Sequence, residues 1–344
     1  MANVQAVPTK VAVIGAGSWG TVFAALLCRN VRTVLWARRE DLADEITSRH
    51  VNSAYLGRFP LPPELTATAS LAEALEGCEL VVMGVPSHGF RHVLTRAEPW
   101  IPPGVPVLSL AKGVEEGSLK RMTEVVAEVA PGRPAGVLTG PNLAGEIMTG
   151  HPAASVVALE DETIAAEVQR LFGTEAFRVY TNPDVTGCEV AGALKNVMAI
   201  ACGMVDGMGF GDNTRAALIT RGLAELTRLG IALGGRPSTF SGLAGIGDLV
   251  VTCISRKSRN RHVGEELGKG RSINQIVSET NMVAEGVKTS RAVLDLAATV
   301  QVEMPIAQQV VAVLYEGKKA SDVILTLMQR EAKPELEAPL FPSA

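Results

Sequence analysis

The sequence predicts an α/β protein in which an N-terminal, Rossmann-type, doubly wound and mostly parallel sheet is followed by an all-helical C-terminal domain. Three observations predict it. Over the first half, short β-branched apolar runs end in turn residues and alternate with helical patterns. The first of these runs leads into a GxGxxG turn. From about Gly187 onward the pattern becomes almost wholly helical.

Lys10–Gly15 (KVAVIG) has the character of a buried parallel strand. A helix from about Trp19 to Arg29 follows it, then a strand at Thr33–Ala37. Further apolar runs end in turns at Leu80–Val85, Val105–Leu110, Gly136–Thr139 and Ala154–Ala158, with helical patterns at Ser70–Leu75 and Leu119–Val129 between them. Strands alternating with helices imply right-handed crossovers. Helices are then expected at Cys188–Val205, Thr214–Leu233, after Asn260, at Ser290–Leu296 and at Ala307–Tyr315. A chain of 344 residues fits two domains. The boundary falls near 182–190, giving a dinucleotide-binding domain over 1–186 and a helical, substrate-binding domain over 187–332. Residues 333–344, with Pro334, Pro339 and Pro342, read as a tail.

At 47% hydrophobic and 20% charged, the chain has enough apolar residues for two cores. A net charge of -4 with no basic stretch argues against a nucleic-acid or membrane-surface partner. An anionic substrate must therefore be held by local basic residues. The five Cys form no CxxC pair and read as reduced thiols. The N-terminus lacks a signal-like apolar core. No run reaches the roughly 18–20 apolar residues that cross a bilayer, so a soluble, cytoplasmic protein is expected. His88 and His92 stand four apart without an HExxH motif or a carboxylate partner, and no metal is expected. GxSxG nucleophile motifs are absent.

Gly15-Ala16-Gly17-Ser18-Trp19-Gly20 follows a strand and opens a helix, the context in which GxGxxG binds a dinucleotide. Gly15 allows the tight turn, Gly17 lets backbone approach a pyrophosphate, and Gly20 lets helix and strand pack closely. The helix start offers free N–H groups to the phosphates. An NAD-selective site usually carries Asp or Glu at the end of the second strand. Here that strand runs into Arg38-Arg39, whose guanidiniums suit a 2′-phosphate. NADPH is thus the expected cofactor, with NAD(H) also usable. Other strand ends on the same edge carry Lys112 and the Gly140-Pro141-Asn142 turn.

Reduction of a ketone needs a hydride and a proton. Lys195 lies in EVAGALKNVMAI, a helix of small and apolar residues where desolvation would lower an ammonium's pKa toward a useful range. Asn196 beside it can orient substrate oxygens. Asp248, after Gly245-Ile-Gly247, can pair with a lysine or cap the helix that follows, and spacing leaves both open. Ser258-Arg259-Asn260 reads either as an anion cradle or as an ordinary helix start.

The segments GAGSWGT (15–21), LAKGVE (110–115), GPNLAGEI (140–147), EVAGALKNVMAIACG (189–203), NTRAALITRGLAE (213–225), GLAGIGDLVVTC (242–253), SRNRHVG (258–264) and VAEGVKTS (283–290) occur in that order. Together they resemble bacterial NAD(P)-dependent glycerol-3-phosphate dehydrogenases over residues 10–330. The resemblance implies that Ser18, Trp19, Arg38 and Arg39 touch the cofactor, and that Ala144 lies against it. Lys112 would contact cofactor and substrate, and Gly140 and Asn142 the substrate. Lys195 would accept the proton in the oxidation direction. Asp248, Ser258, Arg259 and Asn260 would bind substrate, with Arg259 also reaching the dinucleotide. Val283 and Glu285 would close over the cofactor. Many relatives carry Ser or Thr where this chain has Asn142.

The expected reaction is the reversible reduction of dihydroxyacetone phosphate to sn-glycerol 3-phosphate, supplying glycerophospholipid synthesis, in a homodimer. A related β-hydroxyacid dehydrogenase, with a carboxylate site, is the nearest alternative. A non-catalytic NADPH-binding sensor is the alternative from another class.

Overall fold

The structure is a computed structural model that describes residues 8–279, 284–331 and 334–335. Its eight strands are β1 (Lys10–Ile14), β2 (Arg32–Trp36), β3 (Thr66–Thr68), β4 (Leu80–Met83), β5 (Val107–Ser109), β6 (Ala135–Thr139), β7 (Ala153–Ala158) and β8 (Phe177–Asn182). They form one sheet in the order β3-β2-β1-β4-β5-β6-β7-β8, parallel except between β6 and β7. The order reverses between β1 and β4, the place where open α/β sheets bind ligands beyond their carboxyl ends. Both faces of the inner strands are covered, so β1 and β4 are buried along their whole length without polar alternation. Val11 and Val13 of β1 enter one core while Ala12 and Ile14 enter the other.

The helices of the sheet half are α1 (Ser18–Leu27), α2 (Glu40–Arg49), α3 (Ser53–Leu56), α4 (Leu71–Leu75), α5 (Ser87–Ala97), α6 (Met122–Val129), α7 (Ala144–Met148) and α8 (Glu162–Phe172). The helical half comprises α9 (Val185–Gly207), α10 (Asp212–Ala232), α11 (Pro237–Phe240), α12 (Asp248–Ile254), α13 (Arg259–Gly268), α14 (Ile273–Glu279), α15 (Glu285–Thr299), α16 (Pro305–Tyr315) and α17 (Ala320–Met328), with a π-helical turn at Leu243–Gly247. The last strand ends at Asn182, and α9 begins at Val185 behind Asp184. The Asp184 carboxylate accepts from the Gly187 N–H at 2.8 Å and from the Arg236 N–H at 2.7 Å.

Several elements differ from the sequence expectations. β3 and β8 were not foreseen. β3 is three residues of Thr-Ala-Thr, and β8 is an edge strand whose burial alternates at Phe177 and Val179. The helix expected from Leu119 starts instead at Met122. Leu119 has φ 60, because Ser118 and Lys120 fold back onto Glu115, and Arg121 N–H is capped by Glu124 Oε2 at 2.8 Å. Ile273–Glu279 and Ala320–Met328 are helices the sequence reading did not separate. The expectation that no segment is long and apolar enough to cross a bilayer is also corrected. Two are, by length and composition: Val185–Gly207 and Pro237–Ile254. The apolar window of α9 is buried throughout inside the protein, which explains its composition without a membrane.

α9 is the axis of the helical half, packed by α10, α12, α13, α15 and α16. Its crossing with α13 is set by glycines on both helices. A Cβ on Gly203 would stand 2.0 Å from the Arg261 carbonyl oxygen, and one on Gly264 2.0 Å from the Ile200 carbonyl oxygen. Gly207 and Gly268 repeat the contact one turn along, at 2.1 Å from Glu265 O and 2.3 Å from Met204 O. The backbones touch, and this approach joins Asn196 of α9 to Asn260 of α13.

Gly264→Ala should therefore destabilise the fold by at least about 1–3 kcal/mol, since the clash is with backbone that cannot swing aside. Gly211→Ser, at the N-cap of α10 where nothing lies within 4 Å, should change stability by roughly 0.5 kcal/mol or less. Urea unfolding of both variants checks this, and equal midpoints would show that the crossing tolerates a methyl.

Candidate active site

The glycine-rich turn carries the first part of the site. Gly15 has φ +115, and its carbonyl oxygen would lie 1.8 Å from a Cβ on Gly20. Gly84, at the end of β4, presses on the same point, since a Cβ there would be 2.8 Å from Gly20 Cα. Sequence reasoning missed Gly84, although it directly follows a strand. Gly17 caps α1 without a side-chain hydrogen bond, and a Cβ on it would meet nothing within 4 Å. The first turn of α1 thus offers open backbone N–H groups and the positive end of a helix. This arrangement fits the pyrophosphate of a dinucleotide. Ser18 Oγ donates to the Tyr55 carbonyl at 3.0 Å. The Trp19 ring stacks on Phe23 at 5.7 Å between centroids and lies 5.8 Å from Lys112 Nζ.

Arg38 and Arg39 follow β2, and both are exposed. Arg39 pairs with Asp41 at 3.5 Å, and Arg38 has no partner among the described residues. Glu40 and Asp41 belong to the first turn of α2 and are exposed too. The β2 edge therefore presents two exposed guanidiniums.

The second part of the site is an ion cluster assembled from three elements. Lys112, after β5, donates to Asp248 Oδ2 at 2.7 Å and to the Gly140 carbonyl at 3.1 Å. Lys195, in the middle of α9, donates to the other carboxylate oxygen of Asp248, Oδ1, and to Thr252 Oγ1 at 2.9 Å. Thr252, one turn after Asp248 on α12, donates to the Asp248 carbonyl at 2.6 Å and so meets the ammonium as an acceptor. Asp248 is fully buried, and Lys195 is 5% exposed. The two readings left open for Asp248 resolve toward pairing: it engages two lysines and makes no capping bond. Thr252 was not recognised from sequence, though its spacing of four from Asp248 puts both on one face of a helix.

The charges explain the protonation states. Burial lowers the Lys195 ammonium from 10.5 to about 7; Asp248 opposes that shift and Lys112 adds to it. For Asp248 burial pushes upward, yet the two ammoniums together hold it below the usual carboxylate range. Burial raises the partly buried Glu285, at the start of α15, against the pull of Arg259, Lys112 and Lys195. Each lysine makes two bonds here, leaving one ammonium hydrogen for a ligand.

Other expected site residues surround this cluster. Asn196 donates to the Lys112 carbonyl at 3.2 Å, while its oxygen accepts from Asn260 Nδ2 at 2.9 Å. Asn260 in turn accepts from the Gly286 N–H at 3.0 Å, tying α9, α13 and α15 together. Ser258 is the N-cap of α13, accepting from the Arg261 N–H at 3.3 Å. Arg259 beside it is exposed. Gly140 has φ +136, and Asn142 is 5% exposed with its Nδ2 on Ser155 Oγ at 2.9 Å. Ala144 opens α7 and packs against the core beneath α1. Val283, expected at the cofactor, lies outside the described residues, as do most of the residues of the expected tail.

A dinucleotide turn facing a buried, partly discharged lysine defines a nicotinamide-dependent oxidoreductase of the Rossmann-plus-helical-domain class. Comparison with known proteins makes the membership specific. Residues 10–165 match the N-terminal model of NAD-dependent glycerol-3-phosphate dehydrogenase, and residues 184–325 match its C-terminal model. The chain is 54% identical over 326 residues to glycerol-3-phosphate dehydrogenase NAD(P)+ 2 of Sphingopyxis alaskensis, covering 95% of this chain and 98% of that one. It is 52% identical over 309 residues to glycerol-3-phosphate dehydrogenase NAD(P)+ of Mycobacterium avium, covering 90% and 91%. The crystal structure of glycerol-3-phosphate dehydrogenase from Coxiella burnetii superposes with a TM-score of 0.91 at 37% identity, covering 94% of this chain and all of that one. The chain belongs to the NAD-dependent glycerol-3-phosphate dehydrogenase family.

Replacing Asp248 with Asn keeps the side chain's shape but removes the carboxylate that holds the Lys195 proton, so the Lys195 pKa falls further below its ordinary value. Asp248→Asn should lower stability by about 3–5 kcal/mol at neutral pH, the usual effect of removing one member of a buried ion cluster. The loss should shrink as pH rises toward about 7, where wild-type Lys195 also sheds its proton. Denaturant titrations at two pH values measure both, and a pH-independent loss would assign Asp248 a packing role only.

Proposed function

We propose that the protein reduces dihydroxyacetone phosphate to sn-glycerol 3-phosphate reversibly, with NADPH as the preferred cofactor and NADH accepted, and with Lys195 carrying the proton. The observation that supports this best is the Lys195 ammonium, poised near neutrality between Asp248 and Thr252. The bound nicotinamide supplies the hydride. The protein's own residues do the rest. Lys195 directs its remaining hydrogen at the ketone oxygen, stabilises the negative charge that develops there, and gives up the proton. Asp248 fixes both ammoniums from opposite oxygens, so Lys112 is held at the mouth of the same site. Thr252 takes a second Lys195 hydrogen and leaves only one direction for transfer.

Lys112, Lys195 and Arg259 outnumber Asp248 and Glu285, which suits a substrate carrying a phosphate. Arg259, exposed at the start of α13, and Asn260, anchored by Asn196, bind that phosphate. Ser18, Trp19, Ala144 and Glu285 line the cofactor, and Arg38 and Arg39 bind its 2′-phosphate. The protein works in the cytoplasm, and its product feeds glycerophospholipid synthesis.

Reduction needs the ammonium and oxidation needs the free amine. Ketone reduction should therefore fall as pH rises through about 7, while oxidation of glycerol 3-phosphate rises over the same interval. Lys195→Ala should lower both by roughly 10²–10⁴-fold in a folded protein. Steady-state rates in both directions across pH test this, and a limb of the same sign in both directions would remove Lys195 as the proton carrier.

Arg38→Ala combined with Arg39→Ala should raise the KM for NADPH by about tenfold to a hundredfold, the range for hydrogen bonds to charged groups. The KM for NADH should stay within roughly twofold. Equal effects on both cofactors would mean that the pair does not read the 2′-phosphate.

A further inference from the structure

We propose that Ser155 is a positioning residue: it fixes the carboxamide of Asn142 with its oxygen presented as an acceptor for a hydroxyl of the substrate. Ser155 is fully buried in β7. Its Oγ lies 2.7 Å from the Thr139 carbonyl oxygen and 2.9 Å from Asn142 Nδ2. A serine hydroxyl has one proton and a carbonyl has none, so the proton between Ser155 and Thr139 is the serine's. What Ser155 offers Asn142 is therefore a lone pair, and only the NH2 arm of Asn142 can meet it. This chain of donors decides the orientation of the amide, which bare side-chain shape leaves ambiguous.

The consequence is an orphan. Asn142 Oδ1 is buried and has no hydrogen-bond partner among the described residues, a rare condition for a buried acceptor. Thr139 Oγ1 is also unpaired, but it lies inside the packing, 3.5 Å from where a Cβ on Gly192 would stand. Asn142 Oδ1 is as buried, and it belongs to the loop between β6 and α7. Two residues earlier the Gly140 carbonyl accepts from Lys112, and Pro141 Cδ lies 3.8 Å from where a Cβ on Gly247 would stand, next to Asp248.

An acceptor there selects a donor. A phosphate or carboxylate ionised at neutral pH offers none, whereas a hydroxyl does. The nicotinamide carboxamide also carries an N–H donor. The substrate hydroxyl is our assignment because the loop is tied to Lys112 at the ion cluster that holds Lys195. The proposal rests on the ketone reduction described above, with Asn142 at the substrate.

The experiment compares kcat/KM for dihydroxyacetone phosphate with that for hydroxyacetone phosphate, in which a methyl replaces the hydroxymethyl group. Wild type, Ser155→Ala, Asn142→Ala and the double variant are measured, along with NADPH affinity in the absence of substrate and thermal unfolding. Wild type should prefer the dihydroxy substrate by about tenfold or more, the worth of one hydrogen bond whose loss leaves a buried group unpaired. Ser155→Ala should remove about tenfold of that preference, leaving NADPH affinity within roughly twofold. The double variant should match Asn142→Ala alone, because Ser155 acts only through Asn142. Ser155→Cys, close in size with a weaker donor and acceptor, should show the same loss and serves if the alanine variant does not fold.

Preference kept in Ser155→Ala but lost in Asn142→Ala would overturn the role of Ser155 alone. Preference kept in both would remove Asn142 from the substrate hydroxyl. Weakened NADPH binding with an unchanged preference would give the acceptor to the nicotinamide carboxamide, against this assignment. A folded, NADPH-binding wild type that turns over neither substrate would overturn the ketone reduction itself.

Discussion

The carboxylate of Asp248 is the contact on which the rest of the structure depends. It is fully buried, it comes from the helical half, and its two oxygens face lysines from different halves of the molecule. Lys195 could not stay charged at that depth alone, since burial without a counter-charge drives an ammonium to its neutral form. One carboxylate cannot fully restore two ammoniums either. Lys195, which is buried deeper and feels Lys112 as well, ends near neutrality, and the carboxylate stays ionised. The lowered pKa of Lys195 is thus set first by burial, which one carboxylate shared with Lys112 does not undo. The same cluster draws the strand-end loop carrying Lys112 to α9 and α12, across 136 residues of sequence.

Such a cluster needs walls that hold it without water, and close backbone contacts provide them. α9 lies over the stem of Lys112: a Cβ on Gly192 would stand 3.6 Å from Lys112 Cγ. At Gly113 a Cβ would collide with Ser87 Oγ and Thr289 Cγ2, so the loop after β5 is wedged between α5 and α15. Farther along, the glycine-lined crossing of α9 and α13 brings Asn196 and Asn260 together, and their amides extend the contact to Gly286. Glu189 completes the seam on the other side, accepting from Arg121 at 2.7 Å and from the Thr123 N–H at 2.9 Å. Main-chain contacts and paired polar groups yield little to small forces, and this keeps the lysines at fixed distances.

Much of this was legible in the sequence because it is local. The strand–glycine–helix unit at Gly15–Gly20 is written in consecutive residues, and so is the change to helical periodicity before α9. Lys195 could be singled out because its helical neighbours are small and apolar, and those neighbours are what bury it. Asp248 could only be left between two roles, since the lysines that decide the matter stand 53 and 136 positions away. Gly84, Thr252 and Ser155 were missed for the same reason. Each acts on a group brought to it by the fold, and the local marks that Gly84 and Thr252 do carry, a strand end and a spacing of four from Asp248, name no partner. The apolar length of α9 misled in the opposite direction: a helix enclosed by five others has the composition of one enclosed by lipid.

The two halves also divide the chemistry by the kind of group each can supply. A parallel sheet ends in open loops and helix starts, which offer backbone N–H groups and glycines, and these serve phosphates of any nucleotide. A buried helix offers something else, a site whose charge is set by desolvation. Lys195 could not hold a lowered pKa on a strand-end loop, where water would restore it, nor could Gly17 expose its N–H in the interior of α9. Lys112 belongs to both environments, with its backbone on the sheet edge and its ammonium in the buried cluster. Lys112 adds to the lowering of the Lys195 pKa, so a residue of the sheet half sets part of the charge of a residue of the helical half.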